Sequence, residues 1–222
     1  MLRNFRVFAR YCQKRGWTDR DADVMQYQVK GVRKAVAVLT EQEWKDAIAN
    51  IRGNRGGDVF ALFLEFLMAT GLRIKEGLTV KRNQIVTVDG VQILHLKNKV
   101  DAQGEYIPLS KRAVSIVSDQ LRITKNEDDC IWPWRATSTS SLNRQFNRAL
   151  TAAGVDTSKR SGFHIIRKTF RHRLKQAGTS LGDSKALMRH RDIRVTENYY
   201  NYYDTIELKT ALDAAEQWAG VR

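Results

Sequence analysis

The sequence predicts a mainly α-helical domain with one small antiparallel β-sheet, an α+β fold class. Most segments with a regular apolar pattern have the spacing of helices. Two short β-type runs, GVQILHLK and GEYIPLS, flank a turn predicted at residues 101–104, which is typical of a β-hairpin. At 222 residues, the chain can form one sizeable domain or one domain with an appendage.

The helices are predicted from apolar periodicity and end signals. Residues 2–16 place apolar side chains on one face. Thr40 can cap the next helix and form a capping box with Glu43, and the segment GNRGG ends that helix. VFALFLEFLMATG is apolar nearly all round, which indicates a buried helix that ends at Gly71. Later helices are predicted at residues 111–121, 142–153, 164–178, 184–188 and 205–219.

The charge indicates a polyanionic partner. Lys and Arg number 38 against 24 Asp and Glu, which gives a net charge of +14 and a pI near 10. Eleven basic and two acidic residues lie between Lys159 and Arg194. A basic surface of this kind attracts nucleic acid, since neutralised phosphates release counterions. The alternatives are a solvated basic face and, with less support, a membrane surface.

Other classes of protein are disfavoured. No apolar run approaches the roughly 20 residues that span a bilayer, and the N-terminus does not resemble a secretory signal. Cys12 and Cys130 are far apart, which suits a reducing cytosol better than a disulfide framework. The histidines and cysteines lack the spacing of metal ligands, so we expect no metal and a cytoplasmic protein.

Several polar residues stand in otherwise apolar, structured contexts. Arg73 directly follows the buried helix, where it could simply pair with Glu76. His164 and Arg167 are three residues apart, so a helix would place both on one face. His190 lies beside the basic segment. Each signal is weak alone, but together they suggest side chains that converge on a phosphate.

The order ATGLRIKE, a hairpin lysine, HIIRKTF, LMRH and a tyrosine resembles the tyrosine recombinases, the family of the phage integrases. The resemblance covers roughly residues 35–205. It implies the catalytic-domain fold of these DNA breaking-rejoining enzymes and a site-specific recombinase that acts through a 3′-phosphotyrosine, with no metal or other cofactor. The implied catalytic residues are Arg73, Lys99, His164, Arg167, His190 and the nucleophile Tyr199, with Glu76 in support and Lys97 as the alternative lysine.

The chemistry suits these residue types. A tyrosine hydroxyl has a pKa of about 10 and must be activated and aimed at phosphorus. Two arginines can grip phosphate oxygens and remain charged. Tyr199 is preferred among the clustered tyrosines because it follows His190 by nine residues, as the family pattern requires, and Tyr200 is the fallback. The resemblance implies proton transfer by His164 and protonation of the leaving 5′ oxygen by the lysine.

The resemblance also implies partners and domains. The partner is double-stranded DNA in a prokaryotic, phage or mobile-element setting, near the nucleoid. Oligomers on DNA, from dimer to tetramer, would form through the C-terminal helix, which could instead pack on its own domain. Residues 1–17 would be the last helix of a core-binding domain, 18–36 a linker and 37–222 the catalytic domain. Basic residues expected to contact DNA are Arg144, Arg148, Lys168, Arg171 and Arg191.

Two residues depart from the family pattern. Arg189 replaces the glycine before His190, and it would strain the site if that position has a positive φ. Asn201 stands where a histidine is common. Two alternatives stay open. Arg189 and the shortness of the segment before the catalytic domain favour a truncated non-catalytic DNA-binding relative, and a nicking-closing enzyme similar to type IB topoisomerases would share the same chemistry.

Overall fold

The computed structural model describes residues 8, 11–17, 38–96, 105–124, 129–134, 138–157, 162–189 and 205–217. The chain divides into two compact units, Met1–Ala35 and Val36–Arg222. In the first unit, residues 11–14 are helical, within the helix predicted at 2–16. The Tyr11 ring meets Trp17 edge-on, with 5.8 Å between ring centroids.

The second unit begins with two helices that form as predicted. Helix α1, Glu41–Arg52, has the expected capping box: the Thr40 hydroxyl accepts from the Glu43 amide at 3.2 Å, and the Glu43 carboxylate accepts from the Thr40 amide at 2.8 Å. Helix α2, Gly57–Thr70, is buried nearly all round and ends at Gly71, whose φ is 63°. Glycine adopts this left-handed conformation without steric cost.

The sheet has one more strand than predicted. Strands β1, Ile85–Val88, β2, Val91–Leu96, and β3, Glu105–Pro108, pair antiparallel in that order. The predicted β2–β3 pairing is present, with Leu94 opposite Ile107, whereas the residues that join these strands lie outside the described part. Strand β1 was not predicted from the sequence. The dipeptide Asp89-Gly90 is the sequence signal for β1, because Asp-Gly favours a two-residue hairpin turn. In the structure both residues have a positive φ and connect β1 to β2.

The remaining helices follow the predicted order, with some different ends. Thr139 begins one helix and Leu181 another, each three residues before the predicted start. The short helix after Arg73 was not predicted. The helices are α3, Ile74–Leu78; α4, Lys111–Ile123; α5, Thr139–Ala152; α6, His164–Gln176; α7, Leu181–Met188; and α8, Thr205–Gln217.

Helix α2 lies at the centre of the core and contacts α1, α4 and α6. Trp132 is buried and packs on Phe63 and Phe66, with ring centroids 5.1 and 5.5 Å away. The prediction of a mainly α fold with a small antiparallel sheet is confirmed. Within the described ranges, no helix has the length and apolar character needed to cross a bilayer.

Candidate active site

Arg73 projects from the junction between α2 and α3. Its backbone is extended, and it caps the N-terminus of α3. The Glu76 carboxylate accepts from the Arg73 amide and from Arg73 Nη1, both at 2.8 Å. The Arg73 side chain is nevertheless 54% exposed, so its guanidinium can reach a ligand while one edge is held by Glu76.

Gly71 lets the junction approach α6 closely. A Cβ atom at Gly71 would lie 2.3 Å from Cδ1 of Phe170, far inside van der Waals contact. Because residue 71 has no side chain, the backbone that carries Arg73 can pack closely against the helix that carries Arg167.

Arg167 is buried between the ends of two helices. Its Nη1 donates to the carbonyl of Gly71, after α2, and its Nη2 donates to the carbonyl of Met188, at the end of α7. Burial lowers the pKa of Arg167 to about 10, helped by the guanidinium groups of Arg189 and Arg73. The group therefore remains charged at neutral pH. A guanidinium has five N–H donors, so these two hydrogen bonds leave capacity for an anion.

His164 begins α6, about one turn from Arg167, and is exposed to solvent. Partial burial lowers the pKa of His164, and the positive charges of Lys168, Arg167 and Arg73 lower it further. The imidazole is therefore largely neutral at pH 7 and able to accept a proton.

Arg189 has the positive φ that the sequence analysis considered. It ends α7 with φ 48° and ψ 49°, in the left-handed region. Its side chain is only 4% exposed, and Nη2 lies 2.5 Å from Oε2 of Glu76. Glu105, the first residue of β3, has Oε2 3.8 Å from Arg189 Nε. The contact between Arg189 and Glu76 was not predicted, because its only local signal in the sequence is a basic residue at a position where the family has glycine.

Glu76 is thus shared by two arginines. Burial acts to raise the pKa of its carboxyl, but the guanidinium groups of Arg189 and Arg73 and the Arg73 amide outweigh burial and hold the pKa below its usual value. Glu76 is therefore ionised at neutral pH. The local pairing of Arg73 with Glu76 exists, but it is one part of a larger network.

The structure brings together four predicted site residues, the catalytic candidates Arg73, His164 and Arg167 and the supporting Glu76. Glu76 binds Arg73, Arg167 donates to the carbonyl of Gly71, two residues before Arg73, and His164 lies about one turn from Arg167. Five other predicted site residues lie outside the described ranges: Lys97, Lys99, His190, Arg191 and Tyr199.

The other predicted DNA contacts lie on two helices. Arg144 and Arg148 are exposed on α5, one turn apart. On α6, Arg171 is exposed and Lys168 is partly buried. In the part of the chain that the structure covers, no group of three or more His, Cys, Asp or Glu side chains is arranged to hold a metal ion.

Solved structures share this fold. The Tn1549 transposon integrase in complex with circular-intermediate DNA matches with a TM-score of 0.60 and 17% identity over 94% of this chain and 76% of the other. The integrase from mycobacterium phage Brujita matches with a TM-score of 0.61 and 18% identity over 92% and 67%. A lambda integrase dimer bound to a core site matches with a TM-score of 0.57 and 18% identity over 88% and 71%. No curated protein sequence matches the chain significantly.

The shared fold is that of tyrosine recombinase catalytic domains. The sequence profile described as the Phage integrase family matches residues 37–205, more than half of the chain. The chain belongs to the phage integrase family, and its function is that of a site-specific recombinase of the tyrosine type. The resemblance seen in the sequence motifs is therefore confirmed.

Proposed function

We propose that this recombinase cleaves DNA with Tyr199 as the nucleophile and with Arg73 and Arg167 as the phosphate clamp. The observation that carries the proposal is the hydrogen bond from the Arg167 guanidinium to the carbonyl of Gly71, two residues before Arg73, which joins two distant parts of the chain. His164 begins the helix that carries Arg167. A cluster of fixed guanidinium groups stabilises the charge that develops on the non-bridging oxygens during attack. His190 adds a hydrogen bond to one of these oxygens.

The proposed step conserves atoms and charge. The Tyr199 oxygen forms a bond to phosphorus, and the bond from phosphorus to the 5′ oxygen breaks. His164, neutral at pH 7, assists transfer of the phenol proton. Lys99, or Lys97 in its place, donates a proton to the leaving 5′ oxygen. The 3′-phosphotyrosyl ester retains the energy of the phosphodiester, so the strand can rejoin without a nucleotide or other cofactor, and the arginines supply the charge compensation that a metal gives other enzymes.

Double-stranded DNA is the proposed partner. The net charge of +14 supplies long-range attraction. Two of the similar solved structures, the Tn1549 and lambda integrases, are bound to DNA, which supports a DNA interface on the same fold. Backbone contacts are proposed for Arg144, Arg148, Lys168, Arg171 and Arg191. The proposal also implies a cytoplasmic location at the nucleoid of a prokaryote that carries a phage or mobile element.

The proposed oligomer, a dimer to a tetramer on DNA, forms by exchange of α8. Within one chain, α8 packs on its own domain through the buried residues Leu212 and Ala215. Trp44 on α1 and Phe170 on α6 line the surface beside them. Exchange would place the same α8 face on the same surface of a neighbouring protomer. The lambda integrase structure is a dimer, which supports association on DNA.

The proposed domain arrangement retains residues 1–17 as the final helix of a core-binding domain, 18–36 as a linker and 37–222 as the catalytic domain. The division of the chain after Ala35 supports a boundary near the end of this linker.

Covalent capture tests the proposal. The protein is incubated with a pool of nicked duplexes of random sequence, in which the short strand beside the nick diffuses away after cleavage and prevents rejoining. The protein should form a DNA adduct that resists denaturant, and sequencing of the captured strands identifies the target. Tyr199→Phe should form no adduct, and Tyr200→Phe should form it normally.

Other outcomes would change the proposal. An adduct that persists in Tyr199→Phe and disappears in Tyr200→Phe would move the nucleophile by one position. DNA binding without any adduct would favour the non-catalytic relative. Relaxation of a supercoiled plasmid without strand exchange would favour the nicking-closing enzyme.

A further inference from the structure

Arg189 combines two unfavourable features. Its φ of 48° lies in the left-handed region, which glycine adopts far more readily than arginine. Its guanidinium is buried, and Nε and Nη1 have no hydrogen-bond partner among the described residues. A glycine at residue 189 would avoid both features, so the side chain is expected to have compensating interactions.

Those interactions connect three segments around the arginine cluster, which consists of Arg73, Arg167 and Arg189. Arg189 Nη2 binds Glu76, which follows Arg73 by three residues, at 2.5 Å. Arg189 Nε lies 3.8 Å from Glu105, at the start of strand β3. The preceding residue, Met188, accepts a hydrogen bond from Arg167. Arg189 therefore lies where the Arg73 segment, the β-hairpin and the end of α7 meet.

Glu76 has two opposing effects on Arg73. It orients the Arg73 guanidinium by accepting from Nη1 through Oε1. However, an ionised carboxylate is also an anion that competes with a phosphate for the same guanidinium. Arg189 binds the other oxygen, Oε2, and supplies a second positive charge to Glu76. Arg73 then retains its orientation while its charge is less fully neutralised.

We propose that Arg189 is a positioning residue, which acts through Glu76 to keep Arg73 oriented and available to the DNA phosphate. This inference rests on the proposed function, in which Arg73 binds that phosphate. Arg189→Gly would relieve the strain of the left-handed backbone at residue 189 but leave Glu76 paired with Arg73 alone. Its main effect is therefore a loss of anion binding at Arg73 rather than a loss of fold.

The test uses inorganic phosphate as the probe. The full chain is labelled with ¹⁵N-arginine, and the Nε–Hε resonance of Arg73 is followed by NMR during a phosphate titration. Arg189→Gly should weaken the phosphate affinity at Arg73 about fivefold or more. Arg189→Lys, which retains the charge but not the planar fork, should lie between Arg189→Gly and the unmodified chain.

The double variant separates positioning from other roles. Glu76→Gln in the Arg189→Gly background removes the competing charge, so it should restore phosphate affinity at Arg73 toward its original value. Arg122→Ala is the control for loss of a positive charge, because Arg122 is 81% exposed and forms its ion pair with Asp119, and it should leave the affinity unchanged. Thermal unfolding verifies that each variant is folded.

Each alternative result has one meaning. Unchanged affinity in folded Arg189→Gly overturns the inference and leaves the proposed function intact. Weakened affinity that Glu76→Gln does not restore also overturns it, because Arg189 would then act on the anion directly or through the fold. Absence of any phosphate-dependent shift at Arg73 in the unmodified chain overturns the inference together with the proposed phosphate clamp.

Discussion

Two partly buried glutamates, Glu76 in the arginine cluster and Glu216 on α8, have pKa values shifted in opposite directions. Burial acts to raise both. At Glu76 the guanidinium groups of Arg189 and Arg73 outweigh burial, and the pKa is lowered. At Glu216 burial prevails and the pKa is raised, although the Ser110 hydroxyl and the Arg112 amide donate to the carboxylate.

The difference lies in the charge of the partners. The Arg112 guanidinium binds Glu65, and its charge is only the smallest of the causes that act on the pKa of Glu216. The hydrogen bonds to Glu216 come from neutral groups, and Asp213 lies nearby with a like charge. Neutral donors offset only part of the desolvation of a carboxylate, whereas guanidinium groups can exceed it. The arginine cluster is therefore held by charge. The α8 contact depends more on apolar burial, through Leu212 and Ala215, which is compatible with a helix that can leave.

The largest expected effect is on the catalysis proposed for the arginine cluster. Arg167→Lys keeps the charge but cannot bridge the Gly71 and Met188 carbonyls and also grip a phosphate. We expect the rate of covalent adduct formation to fall about 10²–10³-fold. A time course on denaturing gels measures this rate. Lys175→Arg, an exposed change on the same helix, is the control. Equal rates in both variants would show that charge alone suffices at residue 167.

The next effect tests the close packing behind the cluster. Gly71→Ala places a Cβ against the Phe170 ring and forces a side chain into the left-handed region. We expect a loss of about 3 kcal/mol in the free energy of unfolding, or roughly 6–12 °C in Tm. Gly178→Ala is a matched control, since Gly178 has a similar φ of 75° but no atom within 4 Å of the point where its Cβ would lie. Its loss should be about 1 kcal/mol, from strain alone.

A third change tests whether apolar burial holds α8. Leu212 is 1% exposed, so Leu212→Ala should cost about 2–3 kcal/mol. Urea unfolding measures the loss. Lys209→Ala, which removes only a partly exposed ion pair with Asp213, should cost well under 1 kcal/mol. If Lys209→Ala cost as much as Leu212→Ala, the α8 contact would be electrostatic, and the contrast with the arginine cluster would fail.

The smallest effect is the pH dependence of stability, which should have opposite signs at the two glutamates. The lowered pKa of Glu76 contributes stability that is present above the usual carboxyl range and is lost as pH falls through the lowered pKa. The raised pKa of Glu216 means that stability falls as pH rises from the usual range through the raised value.

The variants Glu76→Gln and Glu216→Gln separate the contributions of the two glutamates. Compared with the unmodified chain, Glu76→Gln should become less stable as pH rises from about 4 to 7, and Glu216→Gln should become more stable over that range. Urea unfolding at several pH values measures both. Trends of the same sign would contradict the contrast between charged and neutral partners.

Local signals predicted much of the fold. Thr40 and Glu43 define the start of α1 through contacts three residues apart, and Gly71 marks the end of α2 by its conformational freedom. Strand β1 could have been predicted from Asp89-Gly90 but was missed, because the strand is only four residues long and mostly exposed. The short helix α3 escaped prediction since five residues provide too little periodicity.

The sequence by itself determined the family, the main helices and the order of the candidate catalytic residues, because motif spacing, capping and apolar periodicity are local properties. Only the tertiary structure decided that Arg167 joins the ends of α2 and α7, and that Arg189 shares Glu76 with Arg73. Residues 76 and 189 are separated by 113 positions, and contact across that distance depends on how the helices pack. The same packing sets burial and charged neighbours, which is why two glutamates of equal intrinsic acidity differ in the folded protein.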